Sequence, residues 1–195
     1  MALFLRCKSL LGMCLFTSFI SIAETQETSI PTSNDFEIGE RWEWARINNE
    51  TKLPEWNFFR SIVEKDGTKL FFDGKNHTQI TQVFFDGKSR KPWRVWPIKV
   101  GRQWEYENEY KQADGTLFAV SQNVEVVSFE EVIVTAGKFM AYKIMYKGSA
   151  RNSRGTFTQN DIYWYAPSIR AYVKFTSEDG KGYFYQRELV KYLIK

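Results

Sequence analysis

From Phe36 to the end of the chain, apolar and polar residues alternate with a period of two. In an extended strand that alternation puts the apolar set on one face and the polar set on the other. The clearest stretch runs from Ile98 to Tyr106, and an altered copy runs from Glu37 to Trp44. Each copy reads apolar, Gly, two polar residues, Trp, Glu, aromatic. Extended, Trp42 and Trp44 share one face and Glu43 takes the other; Trp104 and Tyr106 stand against Glu105 in the same way. Gly39 and Gly101 head the copies, and glycine suits a turn that feeds a strand.

The remaining pattern predicts short strands separated by turn signals. Arg41 to Ile47 is the first. Trp56 to Glu64 has a second reading, because Trp56, Phe59, Arg60 and Val63 share a helical face. The Asp66-Gly67 turn signal that follows favours a strand. Gln79 to Phe85 is read as a strand between two Phe-Phe-Asp-Gly-Lys pieces, at 71–75 and 84–88. Ser89 to Pro97 is edge or loop, since Pro92 and Pro97 cannot donate ladder hydrogen bonds. Further strands are Trp104 to Tyr110, Leu117 to Val127, Glu130 to Val134, Phe139 to Tyr146 and Phe157 to Tyr165, with Gly148 to Gly155 as a polar, basic loop. Arg170 to Thr176 and Tyr183 to Leu193 form a last hairpin across Asp179-Gly180. No helix of a dozen residues emerges. The fold class is all-β: an antiparallel curled sheet or half-barrel of roughly ten strands. Residues 36–195 make a single domain, with a two-part repeat over 36–91 and 92–195.

Ahead of that domain the pattern changes. Arg6 and Lys8 precede an apolar run from Leu10 to Ile22, and Ser21-Ile22-Ala23 is a small-x-small cleavage site. This reads as an export signal over residues 1–23. The run is too short for a bilayer core of about 30 Å, which needs about 20 apolar residues. A lipid-attachment site at Cys14 is the rival, but Met13 is the wrong preceding residue and the apolar run continues past Cys14. Residues 24–35, rich in Thr, Ser and Glu, read as a flexible tail. Cleavage near Ala23 implies a periplasmic or secreted protein and removes both cysteines, Cys7 and Cys14, so no disulfide is expected. It also takes two cations, leaving 25 Lys and Arg against 23 Asp and Glu. That balance argues against nucleic acid or another polyanion as partner.

Three motifs carry a resemblance. Pro97-Ile98-Lys99-Val100-Gly101-Arg102-Gln103-Trp104 resembles a Pro-apolar-x-Val-Gly-basic-x-Trp motif. Val132 to Phe139, followed by Lys143-Ile144, resembles Val-x-Val-Pro-Ala-Gly-x-Phe, with Thr135 where Pro is usual. Tyr163-Trp164-Tyr165-Ala166-Pro167, then Val173-Lys174, resembles Trp-Tyr-Ala-Pro…Val-Lys. Together, over Pro97 to Lys174, they resemble a broad set of bacterial secreted or periplasmic domains of unknown function. The resemblance implies an open half-barrel, similar in outline to the lipoprotein-carrier fold, and it brings no catalytic residue.

Enzyme chemistry has little to draw on. His77 is the single histidine, in a polar turn, and without cysteine it cannot complete a zinc site of usual composition. There is no Gly-x-Ser-x-Gly elbow and no phosphate loop. No catalytic residue, metal or cofactor is assigned. Glu43 and Glu105 are the one carboxylate pair worth weighing, for an envelope glycan hydrolase, against the plainer reading as solvent faces of two strands. A basic, aromatic patch comprises Lys88, Arg90, Lys91 and Arg94 with Trp93 and Trp96. It could hold anions, or be a connector whose tryptophans fold back onto the sheet. Phe, Trp and Tyr make up 17% of the chain, enough to fill a core and also line a groove. The candidate groove residues are Trp42, Trp44, Trp104, Tyr106, Trp164 and Tyr165. The expected role is non-enzymatic binding of a hydrophobic or amphiphilic small molecule, or of an envelope protein along an open sheet edge. A structural part in a surface assembly is the remaining reading.

Overall fold

The structure is a computed structural model that describes residues 28–85, 89–112, 114–182 and 184–195. The signal-peptide reading, both cysteines, Lys88 and the Asp86-Gly87 turn lie outside the described residues.

Among the described residues, ten strands form one antiparallel sheet that does not close. In chain order they are β1 (Arg41–Ile47), β2 (Pro54–Lys65), β3 (Thr68–Phe72), β4 (His77–Gln79), β5 (Gln103–Lys111), β6 (Leu117–Val134), β7 (Gly137–Asn152), β8 (Gly155–Ala166), β9 (Ala171–Glu178) and β10 (Phe184–Leu193). Across the sheet the order is β4-β3-β2-β1-β10-β9-β8-β7-β6-β5, so the first strand pairs with the last and joins a short meander to a long one. The sheet curls strongly. The turn between β6 and β7 returns to β10, four strands away in the order, where the Ala136 N–H donates to the Leu189 carbonyl at 3.1 Å.

The two sequence copies make the same local structure. Gly39 (φ 92°) and Gly101 (φ 84°) are both left-handed. In each copy the glycine sits inside a tight turn, closed by Glu40 N–H to Glu37 O and by Arg102 N–H to Lys99 O, each at 3.1 Å. Gly39 N–H then donates to Ile62 O, and Ile62 N–H returns a bond to Glu40 O. Gly101 N–H and Val126 O, with Val126 N–H and Arg102 O, repeat the pattern. Ile62 and Val126 are both buried. A shared hydrogen-bond requirement therefore accounts for the shared sequence.

Several expected elements differ. The Gln79–Phe85 strand is instead the end of β4 and a short helix, α1 (Ile80–Phe84). In a strand, exposed Gln82 would share the face of buried Ile80 and Phe84; the helical spacing turns it outward. The Gly148–Gly155 loop is instead strand nearly throughout, because Ser153-Arg154 suffices as a two-residue turn. Asn152 Oδ1 accepts the Arg154 N–H there (2.8 Å), and Gly155 takes a positive φ. Leu117–Val127 and Glu130–Val134 are one 18-residue strand, bulged between Val126 and Ser128. Residues 28–35, within the stretch expected to be a flexible tail, make specific contacts. Thr28 exchanges two backbone bonds with Ile98, Pro31 is buried, and Thr32 and Asp35 cap a single helical turn.

Candidate functional site

The site is built on the inward face of the curl. On β1, Trp42 and Trp44 point inward and are 1% and 2% exposed. Each satisfies its indole N–H on a backbone carbonyl, Trp42 on Ile169 (2.9 Å) and Trp44 on Tyr172 (2.8 Å). Such partners are what let an indole be fully buried. Trp44 lies between Phe58 and Tyr172, stacked on both at about 5 Å. On β8 the period of two sends Tyr163 and Tyr165 inward and Trp164 outward. Trp164 donates to Glu130 Oε1 (2.9 Å) and lies beside Lys143 and Lys174.

Between α1 and β5, residues 89–102 cross this inward face as a strap. Trp93 packs edge-on to Tyr163 at 5.3 Å, and its carbonyl accepts the Tyr146 hydroxyl proton at 2.7 Å. Trp96 packs edge-on to Tyr165 and donates to Phe84 O at 3.1 Å. Both tryptophans thus fold back onto the sheet. The strap, α1, β1, the β2–β3 hairpin, β8, β9 and β10 line a half-open cavity of about 250 Å³. Its aromatic wall includes Trp42, Trp44, Phe58, Trp93, Tyr163 and Tyr165.

Of the six candidate groove residues, the structure brings Trp42, Trp44 and Tyr165 together in this wall. Trp104 and Tyr106 lie further along the same face, edge-on to Tyr146 at 6.2 and 6.1 Å, and do not reach the cavity. Trp164 is on the opposite face. The described members of the basic patch, Arg90, Lys91 and Arg94, do not form a unit. Arg90 pairs with Glu107 (3.4 Å), and Lys91 pairs with Glu105 and Glu107 on β5. Arg94 is 4% exposed and lines the cavity. Arg94 stands between Trp93 and Trp96, so the inward turn of these two rings separates it from the surface that Arg90 and Lys91 occupy.

Arginine is the component that the sequence reading missed. Arg60, Arg170 and Arg187 line the cavity along with Arg94, and among the described residues no carboxylate does. Arg170 is held by buried Glu40, with Nη2 at 2.7 and 2.8 Å from the two carboxylate oxygens. A signal was present for Arg187, because period two places it on the face of Tyr185 and Leu189. Burial raises the hydroxyls of Tyr163, Tyr146, Tyr165 and Tyr172 above the usual tyrosine range, and the Asp161 carboxylate adds to the effect at Tyr163 and Tyr146. These phenols stay neutral at physiological pH, so the cavity's charge comes from its guanidinium groups.

Other features point elsewhere. A larger open groove of about 680 Å³, beside β5 to β7, is polar and holds the Arg90–Glu107 pair. Glu43 pairs with Arg41 at 2.7 Å and Glu105 with Lys91; neither lines the aromatic cavity. His77, on edge strand β4, lies against Phe72 at 4.9 Å. Among the described residues no helix is long and apolar enough to cross a membrane.

No protein-family model matches the chain, and no curated protein sequence matches it significantly. Solved structures do resemble it. A protein of Parabacteroides distasonis called a "putative lipoprotein" superposes with a TM-score of 0.55 at 11% identity, over 86% of this chain and all of that one. A Bacteroides fragilis "putative exported protein with YmcC-like fold" gives 0.46 at 14% identity, over 86% of this chain and 100% of that one. The Escherichia coli "hypothetical lipoprotein YmcC" gives 0.41 at 10%, over 78% and 84%. The Parabacteroides likeness shows a shared fold and nothing further. The curled antiparallel sheet implied by the sequence motifs therefore has a solved counterpart in architecture.

Proposed function

We propose that this chain is an exported, non-enzymatic binding protein of the cell envelope that takes a hydrophobic or amphiphilic small molecule into the strap-covered cavity. The observation that carries the reading is the cavity itself, walled by rings on the inward face of an open sheet and partly covered by a connector. Ligand sites are concave and largely apolar, with a few placed polar groups, and this one has that make-up. At about 250 Å³ it falls below the roughly 300–1,000 Å³ of a drug-sized site, which suits a small or slender ligand. Export rests on the N-terminal signal reading and agrees with the names given to the structural neighbours. Membership of the motif-bearing bacterial family is part of the same proposal.

The test is titration of delipidated protein with a neutral hydrophobic dye such as Nile red. The expected result is saturable uptake of one dye per chain, weakened by Trp44→Ala, which removes the ring stacked between Phe58 and Tyr172. Non-saturable uptake, or uptake unchanged in the variant, would contradict the reading.

A further inference from the structure

We infer that the ligand is anionic: a single-chain amphiphile whose compact oxyanion head, carboxylate or phosphate, sits against Arg94 and Arg187. This rests on the proposed binding function and specifies its ligand.

Arg94 is the central observation. Its guanidinium is almost wholly buried in the cavity wall, among Trp93 at 4.3 Å, Tyr165 at 5.0 Å and Trp96 at 5.9 Å. Rings stabilise a cation through its faces. The in-plane N–H groups are a separate matter, and Nε and Nη2 of Arg94 have no hydrogen-bond partner among the described residues. Arg187 is half-buried and shares part of the arrangement, with Phe175 at 4.6 Å, Phe58 at 5.2 Å and a buried Nε that has no partner among the described residues. Neither residue forms an ion pair among the described residues, nor does Arg60; Arg170 is already held by Glu40.

A buried cation without a counter-charge is costly, and buried donors left unfilled add to the cost. A protein needing only apolar wall here would do better with leucine or methionine of similar volume. An oxyanion in the guanidinium plane fills the N–H groups and neutralises the charge, and the arginine fork fits carboxylate or phosphate geometry. The rings around it fit the start of an alkyl chain. A fully polar anion would waste the aromatic wall, and a neutral or cationic amphiphile would leave the donors unfilled or oppose them.

Isothermal titration of the delipidated full chain with decanoate, decanol, decylammonium and inorganic phosphate tests this. Decanoate should bind at least about tenfold more tightly than decanol, as expected for hydrogen bonds to a buried charge. Decylammonium and phosphate should each bind more weakly than decanoate. Arg94→Gln and Arg187→Gln should each shrink the decanoate-to-decanol ratio. Equal affinity for decanoate and decanol would overturn the anionic head while leaving the binding function standing. Phosphate binding as tightly as decanoate would overturn the alkyl chain. Nile red uptake with none of the four probes binding would overturn this inference, and failure of all five would overturn the function beneath it. Should a variant fail to fold by circular dichroism, the wild-type head-group series still decides.

Discussion

Gly148→Ala is the sharpest test of how the sheet achieves its curl. Gly148 lies inside β7, paired with Gln122 on β6 and with Gln159 on β8. Unlike most of the glycines it is not needed for a left-handed turn. A Cβ there would lie 2.1 Å from the Ser121 carbonyl oxygen and 2.8 Å from Gln122 Cα, whereas ordinary contact begins near 3.4 Å. Both obstacles are backbone, so no rotamer change relieves them and β6 must move off β7 by roughly 1 Å. The bare Cα also accompanies a side-chain crossing: buried Gln122 spans β7 to donate to Gln159 O at 3.1 Å and Asp161 Oδ2 at 3.0 Å. Parting the strands weakens about two ladder hydrogen bonds and this buried pair, at about 1 kcal/mol each, for a loss of about 2–4 kcal/mol. In a domain of this size that lowers Tm by about 5–15 °C. Thermal unfolding followed by far-ultraviolet circular dichroism measures it, with Ser149→Ala on the same strand as control. A Gly148→Ala melt within about 1 °C of wild type would refute the claim that the curl needs glycine at this point.

Further outcomes follow from the same packing. Glu40→Gln strips the counter-charge from Arg170 while Glu40 is 1% exposed, and should cost about 3–5 kcal/mol by urea unfolding, with much of it recovered in the double variant Glu40→Gln/Arg170→Met. Trp93→Ala should release the strap from Tyr163 and abolish saturable Nile red uptake, because the cavity loses one wall. Alkaline pH should unfold the protein cooperatively. Burial raises the folded-state pKa of Tyr146, Tyr163, Tyr165 and Tyr172, so the fold retains protons that the unfolded chain gives up, and stability present below about pH 10 is lost as pH rises beyond it. Each such tyrosine contributes a slope of about 1.4 kcal/mol per pH unit, so four can exhaust a typical 5–15 kcal/mol stability within about one to three units. Loss of the circular dichroism signal should coincide with ionisation of these four tyrosines, resolved from the exposed ones by their ring-carbon NMR signals; any of the four ionising while the fold persists would contradict the burial.

How far the sequence reveals this protein depends on which physical signal each part carries. Period-two alternation is local, so β1, β2, β5 and the last hairpin are legible, as are the matching glycine turns at 39 and 101. Ile80 and Phe84 mislead because i and i+4 share a face in a helix and a strand alike, and only Gln82 separates the two. Gly148 reads as loop, since its reason, a backbone approach from Ser121, is not local. The site was half legible for a similar reason. Trp42, Trp44 and Tyr165 follow from alternation along their own strands. Arg94 looks like one member of a surface charge run, and its burial depends on where Trp93 and Trp96 fold. Arg60, Arg170 and Arg187 come from separate elements, and only the curl brings them to one cavity.

The most direct test of ligand capture in the strap-covered cavity is a nitrogen–proton spectrum of the seven tryptophan indoles, recorded during titration with decanoate. The indole signals of Trp42, Trp44 and Trp93, which line the cavity, should shift together and saturate, while outward-facing Trp164 and exposed Trp56 stay fixed. Shifts confined to Trp164 or Trp56, or no shift in any indole, would contradict it.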